Sequence, residues 1–150
     1  MIFQRVNRTD PERVFMAMRN NEGATLNKDD ACQLELASAS IDGVRVRQPD
    51  TGNLYAFIGI VDANITDGAY GLIQIYGYRS TSRVFQTNTS QDTGVALAPT
   101  AAAAYLQSVA TSTTSSSDVT QRPIFACLGE SIASSSASAT ISTKIFVRAL

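Results

Sequence analysis

The chain reads as an all-β domain, a compact β-barrel or sandwich, on three observations. Turn signals fall roughly every ten residues, the stretches between them are rich in β-branched and aromatic residues, and several of those stretches alternate apolar with polar side chains. With 150 residues, a single domain can bury about two thirds of the surface its unfolded form exposes, so the core needs no disulfide or metal.

The first segment holds apolar Ile2, Phe3 and Val6 beside Arg5 and Arg8. Over the first twenty residues Arg5, Arg8, Arg13 and Arg19 outnumber Asp10 and Glu12. Residues 1–12 fit two descriptions, an arm that grips a neighbour or a first strand, and residues 13–150 form one β-rich body. After Asp10 and Pro11, RVFMAMRN alternates Val14, Met16 and Met18 with Phe15, Ala17 and Arg19. It is too short for a stable helix and is closed at once by NNEG, so it reads as a strand.

ACQLELA and GVRVRQ read as the next strands, the second bounded by Asp42-Gly43 and Pro49-Asp50, which are turn signals. LYAFIGIV is apolar on both faces and reads as a central strand. Residues 66–86, TDGAYGLIQIYGYRSTSRVFQ, hold three of the five tyrosines. Ile73 and Ile75 face one way there, and Leu72, Tyr76 and Tyr78 the other. Gly71 and Gly77 flank the run, and glycine inside a strand marks a bulge, a bend or the close approach of another backbone.

ALAPTAAAAYLQSVA is the one helical candidate, a short helix around residues 99–109. ATSTTSSSDVT and SIASSSASAT are small polar tracts that bury little and read as loops, the second joining two strands. In the final TISTKIFVRAL, Ile141, Thr143, Ile145, Val147 and Ala149 share one face, so the C-terminal segment is expected to lie in the sheet.

The chemistry-bearing residues are sparse. There is no histidine, which removes Ser-His and Cys-His dyads and imidazole metal ligands. Serine never falls within G-x-S-x-G, and Gly129-Glu130-Ser131 has no base beside it. DANITDG has the acid-and-amide alternation of a calcium loop, but Asp67 stands where that loop needs glycine and Ile73 where it needs a bidentate glutamate, so it reads as a turn. Asp29-Asp30 reads as a solvated hairpin turn rather than a metal site, and Arg45 and Arg47 as a solvated strand face. Cys32 and Cys127 read as two buried free thiols. No catalytic residue, cofactor or metal is expected, and the chain does not read as an enzyme. The formal charge of −1 gives no electrostatic footprint for nucleic acid. No apolar run approaches the ~20 residues that span a bilayer, and the arginines near the start displace the apolar core of a signal peptide, so the expectation is a protein made in the cytoplasm that contacts no membrane.

Four segments, in order, carry a resemblance. RVFMAMRNNEGATLNKDDACQLEL resembles the opening of small head proteins of tailed bacteriophages, where a V-F-x-x-x-[RK]-N strand leads through G-A-T and a turn to the next strand. TDGAYGLIQIYGY resembles their acid-Gly-x-[YW]-G turn and the strand ending Y-G-Y. DTGVALAP is similar to their turn before a small-residue stretch, and FACLGESIASSSASATISTKIFVRAL to their last two strands. The family resembled is that of capsid decoration, or cement, proteins. The resemblance implies a β-rich virion protein on the outer capsid surface. It would be a homo-oligomer, a trimer in that family's usual form, that binds the major capsid protein and bridges capsomers to stabilise the head. Under that reading Ile2, Phe3, Arg5, Val6, Arg8, Tyr76 and Tyr78 are the candidate capsid or subunit contacts. The alternatives are another virion component, such as a head-tail or tail-fibre module, and a sugar- or ligand-binding β-sandwich.

Overall fold

Alternating burial along apolar, β-branched stretches produces nine strands among the residues that the structure, a computed structural model, describes: 12–36, 43–86, 89–100, 102–109 and 125–149. They are β1 (Arg13–Asn20), β2 (Ala31–Leu34), β3 (Arg45–Arg47), β4 (Phe57–Val61), β5 (Tyr70–Gln86), β6 (Ala96–Pro99), β7 (Leu106–Ser108), β8 (Ala126–Leu128) and β9 (Ala139–Arg148), with one 3-10 turn at Leu54–Ala56 before β4. All nine join one sheet in the order β1-β3-β2-β4-β5-β7-β6-β8-β9, and β1–β5 and β5–β9 pairings close it twice.

The double closure makes two lobes that share the 17-residue β5. In the N-lobe, β1, β3, β2, β4 and the first half of β5 form a closed hydrogen-bonded ring. In the C-lobe, the second half of β5 does the same with β7, β6, β8 and β9. Each ring has its own core. Met18, Leu26, Cys32, Val46, Val61, Ile65, Ile73 and Ile75 fill the N-lobe. Val84, Leu97, Leu106, Ala126, Leu128, Ile132, Ile145 and Val147 fill the C-lobe, and Ala31, Phe57 and Ile60 of the N-lobe belong to that same cluster. Closing both rings leaves few free sheet edges, the chief liability of an all-β chain.

The lobes repeat one hydrogen-bonding scheme. β1 pairs parallel with β3 and antiparallel with β5, as the second half of β5 pairs parallel with β7 and antiparallel with β9. β2 lies antiparallel between β3 and β4, as β6 does between β7 and β8. An isolated bridge joins Leu26 to Ile65 in one lobe and Gln91 to Ile132 in the other. Between bridge and strand the same turn occurs twice: Asp30 N donates to Asn27 O at 3.1 Å, and Val95 N donates to Asp92 O at 3.2 Å. Its third residue has positive φ in both, 72° at Asp29 and 86° at Gly94. Even its side-chain brace recurs, with Lys28 N donating to Asn64 Oδ1 and Thr93 N donating to Ser131 Oγ.

Gly77 is where one lobe hands β5 to the other. A Cβ there would lie 1.9 Å from the carbonyl oxygen of Glu12, and its φ of +101° is one that side chains resist. Gly71 sits under the Ile65 side chain. Both glycines therefore mark close approaches, as expected. RVFMAMRN is a strand, and in β9 Thr143, Ile145 and Val147 face the core. The stretch 99–109 corrects the helical expectation: Pro99 ends β6, and Leu106–Ser108 form β7 beside β5. Alanine's helix preference there is a small local term, and burial of Leu106 with Val84 in the C-lobe core overrides it. Of SIASSSASAT, residues 133–138 form the exposed connection into β9, while Ile132 is buried in the C-lobe core and Ala139 and Thr140 begin the strand; the tract at 110–120 lies outside the described residues.

Candidate functional site

Polar chemistry concentrates at the waist between the lobes. Past Gly77, β5 is irregular between Arg79 and Ser82, and this aims Arg79, only 5% exposed, at the N-lobe. Its Nη2 donates to Asp29 Oδ1 at 2.7 Å and to the Val61 carbonyl at 2.8 Å, and its Nη1 donates to Asp62 Oδ1 and Gln74 Oε1, both at 3.2 Å. Thr81 Oγ1 also donates to Asp29 Oδ1. One step along, Arg83 Nη1 donates to Asp30 Oδ1 at 2.7 Å, while Asp30 Oδ2 accepts from Asn27 N.

This network corrects the reading of Asp29-Asp30 as a solvated turn. Asp30 is fully buried and Asp29 largely so, because both carboxylates serve as counter-ions for arginines that arrive from the strand crossing between lobes. DANITDG is a turn, as expected. Asp62 pairs with Arg79, Asn64 accepts from Lys28 N, and Asp67 Oδ1 accepts from Gly23 N. Gln74, two residues along β5 from exposed Leu72, is buried. Its amide donates to the carbonyl oxygens of Tyr76, Gly77 and Tyr78, so the buried amide is satisfied by the backbone of its own strand. The sequence reading missed Arg79 and Gln74; the signal that could have found them is a glycine-flanked break in the alternation of Y-G-Y-R-S.

Two apolar surfaces flank the waist. On the N-lobe, β1 and β5 present Tyr70 (67% exposed) and Leu72 (50% exposed) beside exposed Ala17 and half-buried Phe15. Ala17 lies opposite Leu72 in register, and Arg19 lies opposite Tyr70. The C-lobe carries Thr140, Ser142 and Lys144 on its corresponding outer ribbon, all exposed and polar. The second surface is a groove of about 190 Å³ on the C-lobe, lined by Gly94, Ala96, Ala126, Cys127, Phe146 and Arg148.

Tyr76 and Tyr78 are both half-buried at the waist. The Tyr76 ring stands edge-on to Phe146, centroids 5.3 Å apart at 83°, and Tyr78 is opposite Phe146 in the β5–β9 ladder. Ile2, Phe3, Arg5, Val6 and Arg8 lie outside the described residues. Arg45 and Arg47 flank inward Val46 on the outer face of β3, where Arg47 reaches Glu22 and Glu35. Both cysteines are free, but only Cys32 is buried; Cys127 is partly exposed, a second correction. Burial, with Asp30 adding to it, pushes the Cys32 thiol far above its ordinary range and makes it inert.

Glu130 and Lys144 form an exposed pair at 3.0 Å on the C-lobe. The Lys144 backbone N–H, its ammonium group and the Thr143 hydroxyl hold the Glu130 carboxyl down at about 2. No protein-family model matches this chain, and no curated protein matches it either.

Proposed function

We propose that the chain is a structural virion protein that binds the outer surface of a tailed bacteriophage's major capsid protein shell. It works as a homo-oligomer, a trimer, and stabilises the head by bridging capsomers. The ordered resemblance of four segments motivates this reading. The observation that carries it furthest is the N-lobe ribbon of Tyr70, Leu72, Ala17 and Phe15: large apolar side chains held in water on a doubly closed and therefore stiff body. Burying a side chain such as leucine yields about 1.5–3 kcal/mol before association costs. Repeated by symmetry over a shell, modest gains of that size add through multivalency.

Tyrosine suits such a face because its ring packs while its hydroxyl stays hydrated. The test is co-sedimentation of purified protein with shells that lack it, native chain against L72S. Leu72 is half-exposed, so L72S keeps its fold, and the expected result is that it no longer pellets with shells while the native chain does. Native chain that stays in the supernatant overturns the reading.

A further inference from the structure

β1 keeps a stretch of edge that the rings do not use. Arg19 N donates to Val44 O at 2.8 Å, toward β3, and Asn20 N donates to Ala69 O at 2.9 Å, toward β5. In a strand the N–H and C=O of one residue point to the same edge, and the edge alternates from residue to residue. Met18 and Met16 therefore turn their backbone groups to Gly71 and Ile73 of β5, while Ala17 and Phe15 turn theirs to the β3 side. The irregularity beyond Phe15 falls in β5, where Ile75 is the extra residue, so β1 keeps its alternation. Yet β3 pairs with β1 only at Arg19 and Asn20. Among the described residues nothing hydrogen-bonds the edge groups of Phe15 and Ala17.

The matched strand of the C-lobe is closed at this edge. On the side of β5 away from β9, Arg83 N donates to Asp29 O at 3.3 Å, so the N-lobe turn sits against it. β1 has no such hydrogen-bonded cover among the described residues, and the side chains beside its edge are apolar. Ala17 is exposed, Val14 is 37% exposed and Phe15 is half-buried. An open edge with apolar flanks is a template for another strand.

We infer that an extended segment of the partner protein adds to β1 at Phe15 and Ala17. The charges along β1 state the chemistry of that segment. The strand carries Arg13 and Arg19 and no acid. Neither forms an ion pair among the described residues, and Arg19 Nε donates to the Gly68 carbonyl instead. The segment that fits is apolar beside Val14, Phe15 and Ala17 and carries a carboxylate near an end. A second copy of β1 does not fit, because it would gather the arginines of both copies with no carboxylate from either strand, and like charges across a ladder oppose pairing. The inference rests on the shell-binding reading for the partner's identity, the major capsid protein. To the apolar contact of the ribbon it adds main-chain hydrogen bonds, which fix the direction of the docked segment.

The test is co-sedimentation with shells that lack the protein, native chain against A17P, A17S and R13E, with circular dichroism to check that each variant is folded. Proline removes the N–H at the open edge and sets its ring there, but leaves the bonds of Met16 and Met18 to β5; serine keeps the N–H. A17S should bind like the native chain, and A17P and R13E roughly tenfold or more weakly. Hydrogen exchange on the native chain is the second measurement. The amides of Phe15 and Ala17 should exchange fast in the free protein and become protected on shells. A17P or R13E that binds as tightly as native, or edge amides that stay fast on shells, overturns the inference while shell binding itself stands. Amides already protected in the free protein mean that another copy holds the edge, and overturn it too. Native chain that does not pellet with shells overturns both readings.

Discussion

The N-lobe and the C-lobe build the same ring of strands, the same bridge and the same positive-φ turn from sequences that share almost nothing at matched positions. Asn27-Lys28-Asp29-Asp30 and Asp92-Thr93-Gly94-Val95 make one turn. What the lobes have in common is which positions point inward, and that is enough to fix a ladder's register. Where they differ is in the surfaces they leave in water. The N-lobe has an apolar outer ribbon and a covered face with acids that hold Arg79 and Arg83. The C-lobe has a polar ribbon and an uncovered groove.

The largest effect is expected where the lobes are tied. R79M removes the guanidinium but leaves Asp29, Asp62, Gln74 Oε1 and the Val61 carbonyl without it. The loss should be about 3–5 kcal/mol of unfolding free energy, read by urea denaturation. D29N should cost less, since the Asp62 contact survives. Equal costs for the two variants would mean that the waist does not act as one network.

Next come the glycines that occupy positive φ in each lobe. G77A must displace the Glu12 backbone as well as hold an unfavourable φ, and a loss of about 3 kcal/mol is expected. G94A has open space around its new Cβ and strains φ alone, so about 1 kcal/mol is expected. A similar fall in Tm for both would show that the strand crossing at Gly77 is looser than its geometry.

Ile73 and Ile145 hold matched, fully buried places in the two cores. I73V and I145V should each cost about 1 kcal/mol and, measured by two optical probes, should unfold in one transition. Separate transitions would break the picture of lobes fused through β5.

The smallest effect lies at Glu130, whose C-lobe ion pair has no matching charge in the N-lobe, where Ala63 stands. Its folded pKa of about 2 is below the ordinary 4.5. The stability it adds is therefore present above pH 4.5 and is lost as pH falls from there toward 2. E130Q should flatten that part of the Tm-against-pH curve and leave neutral pH almost unchanged. A curve that keeps its slope would assign the acid loss to other carboxylates.

The strands themselves were legible because alternation and turn residues report burial directly: RVFMAMRN, FIGIV and the final strand stand where the pattern puts them. The doubling was not legible, because the lobes repeat burial and register rather than residue identity. The helical reading of 99–109 failed because the alanines report local preference while β7 is held by a partner far away in sequence. Gln74 and Arg79 were hidden for a related reason. A buried polar residue breaks the alternation that reveals a strand, and only the neighbours that satisfy it explain its place. The exposed Tyr70 and Leu72 were visible as residues, but a sequence does not say which of two apolar faces stays in water.

The most direct measurement is an electron-microscopy reconstruction of particles that carry the protein. The account predicts two-lobed bodies on the outer shell, bridging capsomers, with the Tyr70 and Leu72 ribbon of the N-lobe against the major capsid protein. Density confined to the tail, or a ribbon that faces solvent on a decorated shell, would contradict it.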